Sequence, residues 1–439
     1  MRCVLLCALA AFLAAAPVRA QYPVLADSSV ASPVLEPATD EDANQADDPN
    51  RVPYETDSNV GHHILAFPAT LWSGLASVFR EGVLWAEYSG KIERVQARYI
   101  GPDPPRYGFS PEFNVGGRDG VTLGGSVFHN NVFGTGRYAR VGGRYGFSGT
   151  YSIHGRFRDP GLFGSGLRLG LNGSYVNDTQ ENFFFGGNEA PAEERFEYAF
   201  RRALAHAHMT LPVVHPLSID VEGDYKFMRV RDGDGEPFPE ESIPGFGTAH
   251  LVSGGANLVL DLSERAGLHA QREYQGTIVL LSYHYGQDVS DRNFAFHRVA
   301  GEVRQFIPVP FLPYDRRLAL RARYEKTHPP NGKVVPFYEA STLGGVHTLR
   351  AYQYARFRDE GYVLFNAEYR WPVWDVLDGV VFFDTGQVFQ RYDEVALDAF
   401  HSNVGAGLRV YGREGVAGRL EAAYGEDGLR ILAQIGTVF

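Results

Sequence analysis

The chain has 439 residues, is 13% aromatic, is rich in Gly (50), Phe (30) and Tyr (24) and poor in Met (3), and carries a formal net charge of −11. Its two cysteines, Cys3 and Cys7, both lie at the extreme N-terminus, which excludes a disulfide scaffold or a thiolate site from the remainder. The acidic balance argues against nucleic acid as a partner, and no run beyond the first twenty residues approaches the ~20 apolar residues that a spanning helix needs.

Residues 1–20 combine the basic Arg2, the short apolar core "CVLLCALAAFLAAA" and the small residues of "VRA" before Gln21, the pattern of a cleaved secretory signal. Removing it leaves 39 basic residues against 52 acidic ones. Residues 21–60 hold nine of those carboxylates, from Asp27 to Asp57, against Arg51 alone, and read as an acidic, solvated linker. Residues 61–104 follow as a helical segment. Pro68 suits a first turn, Leu71, Leu75, Val78 and Phe79 recur at helical spacing, and Ile92, Val95 and Tyr99 repeat the pattern after Ser89-Gly90. Such a stripe is an ordinary packing face, an amphipathic helix at a membrane surface, or a plug in a barrel mouth.

From about residue 105 the pattern changes to strands. In "RLALRARYEK", Leu318, Leu320, Ala322 and Tyr324 oppose Arg317, Arg321, Arg323 and Glu325. In "YVLFNAEYRW", Val363, Phe365, Ala367, Tyr369 and Trp371 oppose Asn366, Glu368 and Arg370, and "LRLGLN" alternates likewise. A period of two sends these sets to opposite faces of a sheet. About sixteen such runs follow one another, near 106–116, 121–130, 137–147, 149–158, 166–176, 195–210, 216–230, 248–262, 276–286, 292–307, 316–327, 361–372, 379–389, 401–411, 416–424 and 429–439. Their length, the short connections "GGRDG" and "GFSGT" expected on one side, and long ones at 178–195, 231–247 and 327–360 on the other predict a transmembrane barrel. The expected fold is all-β: one closed antiparallel barrel of about sixteen strands over 105–439, preceded by the short helical segment. The last strand, "LRILAQIGTVF", ends on Phe439, a mark similar to the assembly signal of bacterial outer-membrane proteins.

Enzymatic motifs are not found: there is no Gly-x-Ser-x-Gly elbow, P-loop or His-Glu-x-x-His, and no cofactor is expected. His206 and His208 share a strand face, as a metal pair would, but no third ligand is evident, and two polar lumen-facing side chains is the plainer reading. Asp232 and Asp234 in "RDGDGEP" lack the further ligands of a calcium loop. A stronger constellation is acidic. Glu368 belongs to the polar face of its strand, and Asp384 interrupts the apolar run "GVVFFDTGQVF" of the next. A carboxylate there should face inward and seek a guanidinium. Either the two share one planar fork, or each pairs with a wall arginine such as Arg370 or Arg409.

Gly345, Arg350 and Tyr352, followed by "RDEGY", "AEYRWPV", "VFFDTGQVF", "NVGAGLRV" and the Phe-ended strand, resemble the barrel of the BamA/TamA outer-membrane assembly factors, the bacterial surface antigen family, related to the export partners of two-partner secretion. The resemblance is specific over 343–439 and architectural over 106–342. It implies sixteen strands and a long sixth outer loop folded into the lumen. It also implies a loop-borne Arg, here Arg350, paired with the strand-borne Glu368 and Asp384. Implied partners are outer-membrane lipids and unfolded barrels or an exported polypeptide. The sequence departs from the family at Ala351, where the family has Gly. It also leaves no room between 21 and 99 for the ~75-residue periplasmic POTRA modules, so either the helical stretch 67–99 replaces them, plugs the barrel from below or binds a partner, or a separate periplasmic partner takes their place.

Overall fold

The structure is a computed structural model that describes residues 106–435, except 118–119, 234–242, 267–271, 291, 310–315, 375–376 and 413–414. The expected signal, the acidic linker, the helical segment 61–104 and Phe439 lie outside the described residues. Sixteen antiparallel strands form one closed sheet. They are β1 (Tyr107–Gly117), β2 (Gly120–Val132), β3 (Arg137–Gly146), β4 (Tyr151–Asp159), β5 (Arg168–Phe184), β6 (Arg195–Val214), β7 (Leu217–Asp232) and β8 (Gly247–Asp261). They continue with β9 (Arg272–Asp288), β10 (Ala295–Pro308), β11 (Arg317–His328), β12 (Gly361–Trp374), β13 (Leu377–Phe389), β14 (His401–Gly412), β15 (Gly415–Gly425) and β16 (Gly428–Ile435). Each strand pairs with its successor, and β1 closes the ring on β16 through Phe113–Ile435, Asn114–Gln434 and Val115–Ala433.

The sequence alternation becomes an inside-out distribution of polarity. Leu123, Val127, Val141, Ile153, Leu281, Phe365, Phe383, Val404 and Ile431 are exposed on the outer wall, whereas Ser126, Arg140, Ser152, Glu302, Glu368, Asp384 and Glu421 are buried within. A soluble sandwich would do the reverse, while a wall that meets lipid and encloses polar groups requires this arrangement. Closure leaves no unpaired edge in the hydrocarbon.

One expectation is corrected. "GGRDG" joins β1 to β2 and "GFSGT" joins β3 to β4, so strand parity puts both on the same rim as the long connections after β5, β7 and β11. That rim is called here the loop rim. The opposite, turn rim carries residues 133–136, 160–167, 215–216, 262–271, 309–316, 375–376 and 413–414, together with the start of β1. Short connections occur on both rims. Length alone misassigned them, because only the count of strands between two connections fixes their side.

The sixth loop-rim connection, 329–360, folds into the barrel. It contains a 3-10 turn at Phe337–Glu339 and a two-stranded ribbon, Ser341–Leu343 with Phe357–Asp359. Its Leu343, Leu349, Ala351, Tyr352 and Phe357 pack with the inward-facing Tyr362, Leu364, Val380, Phe382, Val388 and Ala423 to make the main apolar core. Phe337 crosses to a second cluster with Phe183, Tyr198, Phe200, Met228 and Val230 on β5–β7. The loop therefore spans the lumen from wall to wall, and ion pairs of Glu339 with Arg298 and Lys226 tie it to β10 and β7.

Candidate functional site

The tip of this loop is a tight reversal. Gly345 N–H donates to the Tyr352 carbonyl (3.0 Å), Gly344 N–H to Thr348 Oγ1 (2.9 Å), and Tyr352 N–H to the Leu349 carbonyl (3.1 Å). Gly344 and Gly345 have φ of +109° and +97°, which glycine alone adopts without strain. A Cβ at Gly344 would lie 2.1 Å from the Gln353 carbonyl oxygen. Gly344→Ala is therefore expected to destabilise the loop by about 2 kcal/mol or more, read as a lower urea midpoint for the heat-modifiable barrel. A wild-type midpoint would mean that the reversal is not needed.

This turn presents Arg350, 4% exposed, to three carboxylates. Its Nε and Nη2 donate to Asp384 Oδ2 (2.8 Å) and Oδ1 (2.6 Å), a bidentate fork. Nη1 donates to Glu368 Oε1 (2.7 Å) and reaches Glu421 Oε1 at 3.3 Å. The guanidinium lies 3.4 Å from the centroid of the Phe382 ring, a stacked cation–π contact. Asn366 and Asn403 supply Nδ2 donors to the two oxygens of Asp384 at 2.8 and 2.9 Å. Glu368 also accepts from Arg370 (2.7 Å) and from both terminal nitrogens of Arg409 (2.7 and 2.9 Å), and Arg409 continues to Glu421 (3.0 Å).

The two sequence alternatives merge here. Arg350 joins Glu368 and Asp384, and the wall arginines Arg370 and Arg409 share Glu368 with it. The register explains the meeting, since Asn366 stands opposite Asp384, and Asp384 opposite Asn403, across β12–β13–β14. The sequence reading missed Glu421, Phe382, Asn366 and Asn403 as partners. Glu421 carries the signal that would have found it, because it shares the inward phase of β15 with Arg419 and Ala423. A ring two residues before Asp384 carries none.

Tyr352 is fully buried. Its hydroxyl donates to the Ser402 carbonyl (3.2 Å), and its ring meets Phe357 and His401 edge-on. Burial pushes the phenol up to about 12, which keeps it a donor at ordinary pH. Ala351 is accommodated without positive φ. It is buried, its N–H points at Asn403 Oδ1 (3.4 Å), and its methyl group occupies space left by Gly425, where a Cβ would lie 3.0 Å from it. The residue that departs from the family pattern is thus matched by a glycine on β15.

His206 and His208 face the lumen and each other (3.2 Å), and His206 Nδ1 meets Asp224 at 2.7 Å. Asp232 ends β7, and Asp234 lies outside the described residues.

Comparison with known proteins agrees with this geometry. Residues 131–426 match the Omp85 superfamily domain. Among solved structures, BamA from Haemophilus ducreyi lacking POTRA domains 1–3 aligns with a TM-score of 0.55 at 15% identity, covering 76% of this chain and 70% of that one. CdiB from Escherichia coli aligns with a TM-score of 0.52 at 12% identity, covering 76% and 63%. At those identities the likeness is one of fold. No curated protein matches in sequence.

Proposed function

The chain belongs to the Omp85 superfamily and is a barrel of the bacterial outer membrane, and on that premise we propose that it inserts or translocates other polypeptides there. The observation that carries this reading is the anchored inner loop. Arg350 is held from three strands, β12, β13 and β15, and the loop it fixes fills the lumen from β5–β7 to β15. A pore for small solutes has no use for a lumen blocked this way. A barrel that works through its wall needs the opposite arrangement, with the interior fixed and one strand pairing open to exchange.

The work is non-enzymatic in this reading. Backbone pairing at an opened edge templates an incoming strand, and the lipid in contact with the outer wall receives it. Clients are unfolded barrel precursors or an exported polypeptide, and a separate periplasmic partner delivers them. The competing reading is a channel or structural barrel that keeps the fold without this activity.

The test is depletion of the protein from its native membrane, followed by quantitative envelope proteomics. Loss of particular barrel or surface proteins is expected, and an unchanged envelope proteome would defeat the proposal. Purified protein in planar bilayers should show little or no stable conductance. A large, steady, selective current would favour the channel.

A further inference from the structure

On the outer wall, β6 and β7 change character abruptly toward the loop rim. From the turn rim upward the outward residues of β7 are Leu217, Ile219, Val221, Gly223, Tyr225 and Phe227, an unbroken run without charge. Ten steps of ~3.4 Å on a strand tilted by ~40° rise roughly 26 Å, the height of the ~25 Å apolar band of an outer-membrane barrel. The next two outward residues are Arg229 and Arg231, and both are exposed. On β6 the same phase runs through Leu211, Met209, Ala207, Ala205 and Ala203 to the exposed Arg201. The charges begin at one level on both strands.

Register gathers these arginines into a patch. Arg201 stands directly opposite Arg229, and Arg231 is the next outward residue on β7, opposite Ala199. Like charges placed opposite one another repel. Arg201 Nε donates to Asn177 Oδ1 on β5 (3.1 Å), but none of the three forms an ion pair with a described residue. Glu197, in the same outward phase of β6, is not joined to them. Below the patch lies an aromatic girdle. Tyr151 and Tyr175 have ring centroids 6.0 Å apart, and the Tyr225 hydroxyl meets His250 Nδ1 at 2.7 Å beside Phe227. Such girdles mark the edge of the hydrocarbon. The step from Phe227 to Arg229 is ~7 Å along the strand, comparable to the ~5–7 Å depth of a headgroup layer.

We propose that Arg201, Arg229 and Arg231 bind the phosphate of an anionic lipid in the outer leaflet, since the long connections put the loop rim on the outer face. Planar guanidinia suit phosphate oxygens, and an anion between Arg201 and Arg229 turns their repulsion into a shared attraction. The occupant is a lipid because the patch runs without a break into a wall that acyl chains must cover. A phosphate held by the arginines leaves its chains lying along Phe227, Tyr225 and Val221. This inference rests on the outer-membrane barrel itself and not on the proposed insertase or translocase role.

The test is native mass spectrometry of the folded, heat-modifiable full chain in neutral detergent, titrated with dioleoyl phosphatidate or dioleoyl phosphatidylcholine. Phosphatidate is expected to bind at least tenfold more tightly. Each of Arg201→Gln, Arg229→Gln and Arg231→Gln should weaken it roughly fivefold, and the triple variant more. Arg391→Gln removes an exposed arginine that pairs with Asp393 on the connection after β13, and should leave binding unchanged. The single variants give the same reading where the triple does not fold. Equal affinity for the two lipids would overturn the proposal, as would wild-type binding by the three single variants. An equal loss in Arg391→Gln would reduce the effect to net charge and refute the site. Displacement of phosphatidate by equimolar inorganic phosphate would identify a free-anion site and refute the lipid occupant.

Discussion

Arg350→Ala is expected to lower the stability of the folded barrel by about 3–5 kcal/mol and to abolish its activity in the membrane. The magnitude comes from what the substitution leaves behind. Asp384 is fully buried and would keep only Asn366, Asn403 and the long (3.4 Å) backbone N–H of residue 350 as donors, and the stack on Phe382 would be lost. The wall arginines still serve Glu368 and Glu421, so the damage concentrates at Asp384. Arg350→Lys separates charge from shape. A lysine keeps the charge but cannot fork onto both oxygens of Asp384 while reaching Glu368, so an intermediate loss is expected. Urea titration of the heat-modifiable band, alongside a depletion–complementation assay, measures both effects. If Arg350→Ala matches the wild type in both, the loop is not anchored as described.

Glu368→Ala is expected to cost at least as much, because Arg350, Arg370 and Arg409 all lose an acceptor at once. Three guanidinia would then compete for Glu421 and Asp384 in a region from which water is largely excluded. Glu368→Gln keeps one acceptor oxygen and the shape of the side chain and is expected to be milder. The double variant Arg350→Ala/Glu368→Ala discriminates between a shared network and two independent pairs. A shared network makes its loss smaller than the sum of the single losses, by roughly 0.5–3 kcal/mol. Strict additivity would show that the two residues act separately.

The barrel was legible because lipid and lumen impose opposite demands on alternate residues, and each of the sixteen expected runs corresponds to a strand. Boundaries were less legible. The fifth run was read as ending near 176, whereas β5 continues to Phe184. A register shift between Asp178 and Glu181 breaks the alternation there and hides the extension. Asp384 pointed to the site because a carboxylate within an apolar run has few physical explanations. Arg350 needed the family resemblance as well, since no periodicity governs an irregular loop. Glu421 was missed despite its inward phase because the run "RLEAAYG" has nothing out of place to draw notice. Gly425, which makes room for Ala351, could be recognised only once both backbones were in place.

The grouping of the anchor's partners along the chain has a kinetic consequence. Arg350 is 34 residues from Asp384, 18 from Glu368 and 71 from Glu421, whereas the pairing of Asn114 with Gln434 that closes the ring spans 320. Low sequence separation makes contacts quick to form, and ring closure bears the largest loop entropy. The C-terminal stretch from the inner loop to β15 can therefore assemble as an early nucleus, with strands β1–β11 added to it and the closing pair formed last. The residues that hold the finished barrel shut from within would then also be the first to give it shape.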